Sequence, residues 1–323
     1  ININVADSPY LWIFGNGGTG YYPTYKGDTF LISGAGCIYG GAASDYGAVT
    51  DIDLRNQSLT TDFSSLLSKF TNLQTLFLND NTLINAIDIT QNVNLEFFSF
   101  NHLSITTLDT SKNTILKNYR VAETLLTTID TSNNPLIITL EGQNSLINSF
   151  DFSNNLLLEN INFFNTQLTT ANFDNLSVLT TLSINDNANL TSVSLTNCNS
   201  LNFLNLRGTA ITSFSKSLSS LTYLNLSSNS NLISVDISNV PALTTFLITN
   251  SNNAPDFNID SNSALTSIDV RAGLSTAAQS AMLLKLDGFG QSNGIFQGRI
   301  VDGGTVTPSL ISNLQAKGWT VTF

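Results

Sequence analysis

The chain runs to 323 residues, 41% apolar and only 11% charged, with a formal net charge of −11. The acid excess leaves no basic footprint for nucleic acid and repels an anionic membrane, and no uncharged apolar run is long enough to span a bilayer. Charged residues fall below half of the usual share of about 25%, so Asn, Ser and Thr carry the surface, a composition that suits an extracellular or cell-surface setting.

Residues 1–48 hold half of the glycines and nine aromatics, among them Tyr10, Trp12, Phe14, Tyr21 and Tyr22. Short strands are predicted at Tyr10–Phe14 and Thr29–Ile32, with glycine turns between. This segment is expected to cap the open end of the repeat array that begins at residue 49, because an uncovered solenoid end exposes core and sheet edge. The competing reading is a docking module that attaches the chain to an assembly through those aromatics. Gly15-x-Gly17-x-x-Gly20 has the spelling of a dinucleotide fingerprint but not its context. Tyr21-Tyr22-Pro23 cannot open the required helix, and no acidic residue stands at the distance a ribose needs. Ile1 at the start is read as the mark of a processed or truncated chain.

From residue 49 to 272 one pattern recurs. Its clearest copy is Leu73-x-x-Leu76-x-Leu78-x-x-Asn81-x-Leu83, and eleven copies begin at Val49, Leu73, Leu95, Leu116, Leu136, Leu158, Leu179, Leu201, Leu221, Leu243 and Leu265. Apolar residues at the fourth and sixth positions alternate with a polar fifth, which is strand periodicity. One such strand cannot bury its apolar face alone; stacked copies share a core. In the fifth copy, counted from Leu136, Thr139 and Glu141 fall on apolar slots, so a distorted turn is expected there. An Asn column (Asn81, Asn144, Asn187, Asn229) supplies amides to satisfy backbone groups where the chain leaves the strand.

These residues resemble the leucine-rich-repeat family, and the short copies resemble those of bacterial surface or phage-type members. The resemblance implies a parallel sheet with few helices, and an amide ladder between coils. The second half of each copy, as in Ile87-Asp88-Ile89-Thr90 and Val235-Asp236-Ile237-Ser238, alternates like a strand, so an extended or turn-like back is predicted. Only Asp62–Lys69 has a helical pattern.

Asp88, Asp109, Asp130 and Asp151 hold one slot in four successive copies. Strand spacing sets neighbours about 5 Å apart, where like charges raise one another's pKa. Water, nearby hydroxyls or a hard cation must compensate. A solvated row capping the adjoining turns is the expected state. Calcium is a weaker candidate, and no metal or cofactor is favoured. A glycosidase pair needs unequal environments, which a repeated column does not make.

At outward positions of the strands stand Phe77, Phe97, Phe203 and Tyr223. Exposed rings in a polar field are what a binding face uses. Phe203 and Tyr223 share the third position in adjacent copies and are expected to touch. His102, the sole histidine, lies in a loop after a strand; no partners for a triad or zinc site are expected, and a satisfied or solvated side chain is. Cys37 and Cys198 are read as free, buried thiols.

Residues 273–323 are expected to form a C-terminal cap of helix, loop, helix and strand. Thr276-x-x-Gln279 spells a capping box, Thr307-Pro308 a second helix start, Gly318 a stop, and Trp319–Phe323 a last strand. The sum is a mainly β repeat solenoid with a β-rich N-terminal cap. It points to a non-enzymatic recognition or adhesion protein that presents a rigid surface to a protein or glycan. The alternative is a structural subunit of a larger assembly, such as a phage tail or capsid appendage.

Overall fold

The computed structural model describes residues 10–12, 50–56, 59, 67–251, 256–259, 262–271, 273–300 and 304–323. The chain divides into two compact units, Ile1–Leu158 and Glu159–Phe323. Each is built from coils that carry a three-residue front strand.

In the first unit the front row runs Tyr10–Trp12, Asp51–Asp53, Thr75–Phe77, Phe97–Ser99, Asn118–Arg120 and Thr139–Glu141. Neighbours pair in parallel, each with its middle residue opposite the next middle residue. In the second unit the row begins Asn160–Asn162, Thr181–Ser183, Phe203–Asn205, Tyr223–Asn225, Thr245–Leu247 and Ser267–Asp269. These strands pair in parallel in the same way.

The cause is the alternation in the sequence. Leu76, Phe98, Leu140, Leu182 and Leu224 point inward and are fully buried, while most of the residues on either side are half-buried, Ser99 and Asn225 being buried. Parallel pairing results because each coil must return to the same edge before it can start the next strand. The strand Tyr10–Trp12 extends this row at the first coil. The strand predicted at Thr29–Ile32, the glycine fingerprint and most of the helix predicted at Asp62–Lys69 lie outside the described residues.

The back of the coils is extended, as the alternation predicts. Thr128–Ile129 pairs with Ser149–Phe150, and Thr170–Asn172 with Ser192–Ser194. Ser213–Ser215, Ser234–Asp236 and Asp256–Asn258 form a third short row.

The fifth copy is not distorted; its phase differs by one residue. Ile137 is buried and Leu136 is exposed, and Leu140 sits opposite Tyr119. The pattern is Ile137-x-x-Leu140-x-Gly142-x-x-Ser145, so Thr139 and Glu141 hold the ordinary outward slots. Asn144 therefore leaves the amide column, and buried Ser145 takes that place, donating to the Gly142 carbonyl at 2.6 Å. A similar shift occurs after Asn81, where Ile84 is buried and Leu83 is 55% exposed.

A second regularity was not predicted. The residue just before the column takes a left-handed backbone in Asn56, Asp80, His102, Glu123, Asn144, Asn165, Asp186, Gly208, Ser228 and Asn250. Several of these N–H groups donate to the next coil, as from Asp80 to the Asn101 carbonyl at 2.9 Å and from Gly208 to Ser227 at 2.9 Å. Asn, Asp and Gly are the residues that tolerate this conformation.

The amide ladder also stands elsewhere than expected. Asn81, Asn187 and Asn229 do bind backbone across coils. Asn187 donates to the Phe163 and Ile184 carbonyls at 2.8 and 2.9 Å and accepts from Thr166. They are separated by coils that carry Leu103, Thr124, Ser145, Thr166 or Thr209. The unbroken ladder lies behind, at Asn92, Asn113, Asn134 and Asn155. Asn134 donates to the Thr110 and Asn113 carbonyls at 3.0 and 2.8 Å, and Asn155 repeats this on Thr131 and Asn134. In the second unit Cys198 fills such a slot, its thiol 3.1 Å from the Phe173 carbonyl. Burial pushes that thiol up to about 11, which makes it inert.

The C-terminal segment holds two helices, α1 (Thr276–Phe289) and α2 (Pro308–Ala316). The α1 cap is Ser275, which accepts from the Ala278 N–H at 3.1 Å, and not Thr276. Gln279 is buried and does another job: its amide bonds the Leu274 and Arg299 carbonyls at 2.8 and 2.9 Å. Pro308 opens α2 as expected, and Gly318 stands past its end with φ +82. The expected loop between the helices contains a strand, Ile295–Gln297. It pairs in parallel with Ser267–Asp269, and Thr320–Thr322 pairs in parallel with it, extending the second unit's front row.

Candidate functional site

The front face of the first unit carries a short row of rings and guanidinium groups. Phe77 and Phe97 lie with centroids 4.9 Å apart and planes at 46°. They meet diagonally, because Phe77 is in register with Ser99 and Phe97 with Thr75. Arg55 lies 5.1 Å from the Phe77 centroid, and Arg120 lies 5.3 Å from that of Phe97. Both distances fall within cation–π range. Arg55 is held by Asp53 through Nε–Oδ1 at 2.9 Å and Nη2–Oδ2 at 2.5 Å, and this pairing raises its pKa. Arg120 Nε is 3.5 Å from Glu141.

In the second unit, Phe203 and Tyr223 are in direct register. Their rings stack at 4.5 Å with 8° between planes. Adjacent strands lie about 4.8 Å apart, so the backbone itself sets the stacking distance. The four aromatics singled out in the sequence thus form two pairs, one in each unit. All four are half-buried. The arginines beside the first pair were not legible, since Arg55 and Arg120 occupy different slots of their copies.

His102 is a satisfied side chain, as expected, with a carboxylate at each ring nitrogen. Its Nδ1 is 2.6 Å from Asp80 Oδ1, and its Nε2 contacts the Glu123 carboxylate. The three residues hold the same left-handed slot in successive coils. Residues 22 positions apart become neighbours on stacking, and that spacing was the available signal.

The Asp row is solvated and each member caps its own turn. Oδ1 of Asp88, Asp109, Asp130 and Asp151 accepts the backbone N–H two residues on, at 2.8–3.0 Å. Asn172 and Asp236 make the same turn in the second unit. Neighbouring hydroxyls and N–H groups supply the compensation that like charges require. The hydroxyl and N–H of Ser111 hold Asp109 below the ordinary carboxylate value, and the N–H and hydroxyl of Ser132 and Ser153 do so for Asp130 and Asp151. Repulsion from Asp109 pushes Asp130 the other way and is outweighed. Among the described residues, no group of three His, Cys, Asp or Glu is gathered to hold a metal ion. Phe14, Tyr21 and Tyr22 lie outside the described residues.

No protein-family model matches the chain, and no curated protein does. Solved structures match its fold. An internalin (inlF) of Listeria monocytogenes matches with a TM-score of 0.58 at 18% identity, over 88% of this chain and 89% of its own. The functional domain of InlJ from the same species gives 0.56 at 21%, over 73% of this chain and 61% of that one, so this chain spans about three fifths of its length. A TLR13–ssRNA13 complex gives 0.50 at 15%, over 86% of this chain and 51% of that one. Because that complex contains RNA, the fold does not support the exclusion of nucleic acid drawn from net charge. No helix among the described residues is long and apolar enough to cross a membrane. Parallel coils, an inward apolar triplet and these structural likenesses together establish that the chain has the leucine-rich-repeat fold.

Proposed function

We propose that this is a non-enzymatic recognition protein whose front sheet face binds a protein or glycan ligand outside a bacterial cell. The carrying observation is the Phe203–Tyr223 stack, two rings held parallel at 4.5 Å on a rigid sheet. Rings fixed before binding lose little entropy on contact, and flat aromatic surface is the commonest anchor of an interface. The Phe77–Phe97 pair between Arg55 and Arg120 adds a second anchor with donors on either side. The low charge content and the hydroxyl-rich surface support an extracellular setting. This reading calls for no cofactor.

The test compares the native chain with a Phe203→Ala/Tyr223→Ala variant on a glycan array and in cross-linking to intact bacterial and host cells. Loss of the bound signal with an unchanged circular-dichroism spectrum supports the proposal. Equal signal from both proteins refutes it. Attachment to an assembly through residues 1–48 predicts instead that deleting them abolishes multimerisation while the aromatic variant retains it.

A further inference from the structure

The second unit contains a concavity of about 280 Å³ whose described lining residues are Thr249, Asn250, Arg271 and Arg299. The repeat builds it. Thr249, Arg271 and Arg299 each stand two residues beyond the strands Thr245–Leu247, Ser267–Asp269 and Ile295–Gln297, which pair in register. Asn250 comes next in the left-handed slot and ties its N–H to the Arg271 carbonyl at 3.1 Å.

The two guanidinium groups differ. Arg271 is clamped by Asp269, with Nε–Oδ1 at 2.9 Å and Nη2–Oδ2 at 2.6 Å. That clamp uses two of its five N–H donors. Arg299 is exposed, and among the described residues its guanidinium pairs with no carboxylate. Arg55, Arg120 and Arg207, by contrast, each face an acid. Among the described residues, the two lining arginines and Asp269 together leave a single net positive charge here, on a chain of net charge −11.

We propose that this concavity binds a carboxylated monosaccharide unit, such as a uronic acid at the end of a glycan. One positive charge matches one carboxylate. A dianionic phosphate would remain undercompensated and would sit against Asp269. The planar fork of Arg299 suits a carboxylate held by two parallel bonds. The Thr249 hydroxyl and the Asn250 amide offer neutral partners for ring hydroxyls. The volume lies near the lower end of small-ligand sites, which suits one sugar ring and not a longer segment. The site shares no residue with the aromatic pairs and does not depend on their role.

The test is calorimetric or NMR titration of the full chain with glucuronate, glucose, inorganic phosphate and glutamate. Glucuronate is expected to saturate with a Kd on the order of 1 mM and to weaken as salt rises. Glucose should bind at least tenfold more weakly. Arg299→Ala should lower glucuronate affinity at least tenfold with an unchanged melting curve, since that side chain is exposed. Thr249→Val, which keeps the charge, should lower it about threefold. The Phe203→Ala/Tyr223→Ala variant should bind glucuronate as the native chain does, which separates failure of this site from failure of the aromatic face. The proposal is overturned by no glucuronate binding, by equal binding of glucose or glutamate, by tighter binding of phosphate, or by an unaffected Arg299→Ala.

Discussion

The rings of Phe203 and Tyr223 stack because their strands pair in parallel with the two residues directly opposite. A half-buried stack of this kind couples its members beyond their separate burial, by about 0.5–1.5 kcal/mol. A double-mutant cycle with Phe203→Ala and Tyr223→Ala, read by urea denaturation, should return a coupling of that size. A sum of single effects equal to the double would mean that the stack contributes to the surface alone.

Asn134 carries the back ladder at its centre. Its amide donates to two carbonyls and accepts from the Thr110 hydroxyl at 3.0 Å, all within the core. Asn134→Ala strands those groups away from water, at a cost of about 2–4 kcal/mol. Asn133→Ala, one residue away and exposed, should change stability by less than about 0.5 kcal/mol. Urea midpoints of both variants at constant m-value test the contrast.

Acid should weaken the fold through Asp109, Asp130, Asp151 and Asp236, whose pKa values are held below the ordinary 3.8 by their Ser partners. A carboxylate depressed in the folded state stabilises it fully above the unfolded value. That contribution is lost as pH falls through the folded value. Urea midpoints should stay level from pH 7 to about 5 and then decline. Asn172 makes the same turn without a charge. The triple variant Asp109→Asn/Asp130→Asn/Asp151→Asn should therefore keep its stability at pH 7 and lose part of the decline.

Among the described glycines, Gly273 marks the tightest backbone approach. A Cβ there would collide with the Ile248 carbonyl oxygen and lie 2.5 Å from its carbon. Because the obstacle is backbone, no side chain can swing aside. Gly273→Ala should cost about 3 kcal/mol or more. A loss below about 1 kcal/mol, read by urea denaturation, would show that the two segments separate freely.

The fold was legible because burial repeats in the sequence. Leu73, Leu76 and Leu78 announce their inward slots by spacing alone, and the same spacing predicted the front strands and the extended back. The aromatic pair Phe203–Tyr223 was legible for the same reason, since two residues in one slot of adjacent copies must meet. The back ladder had a signal too. Asn92, Asn113, Asn134 and Asn155 recur at 21-residue intervals, four positions after the Asp row, but the conspicuous front column drew the amides to Asn144.

By itself, then, the sequence determined which slots face inward, the approximate length of each coil and the order of strands along the chain. Tertiary structure decided the phase where slots compete, placing Ile137 inside and Leu136 outside, because only packing against neighbouring coils distinguishes two adjacent apolar residues. It also decided the lateral contacts between different slots: Arg55 on Phe77 and Phe97 against Phe77. Periodicity sets inside against outside, while the reach of a long side chain across a sheet depends on register, stagger and the turn that aims it.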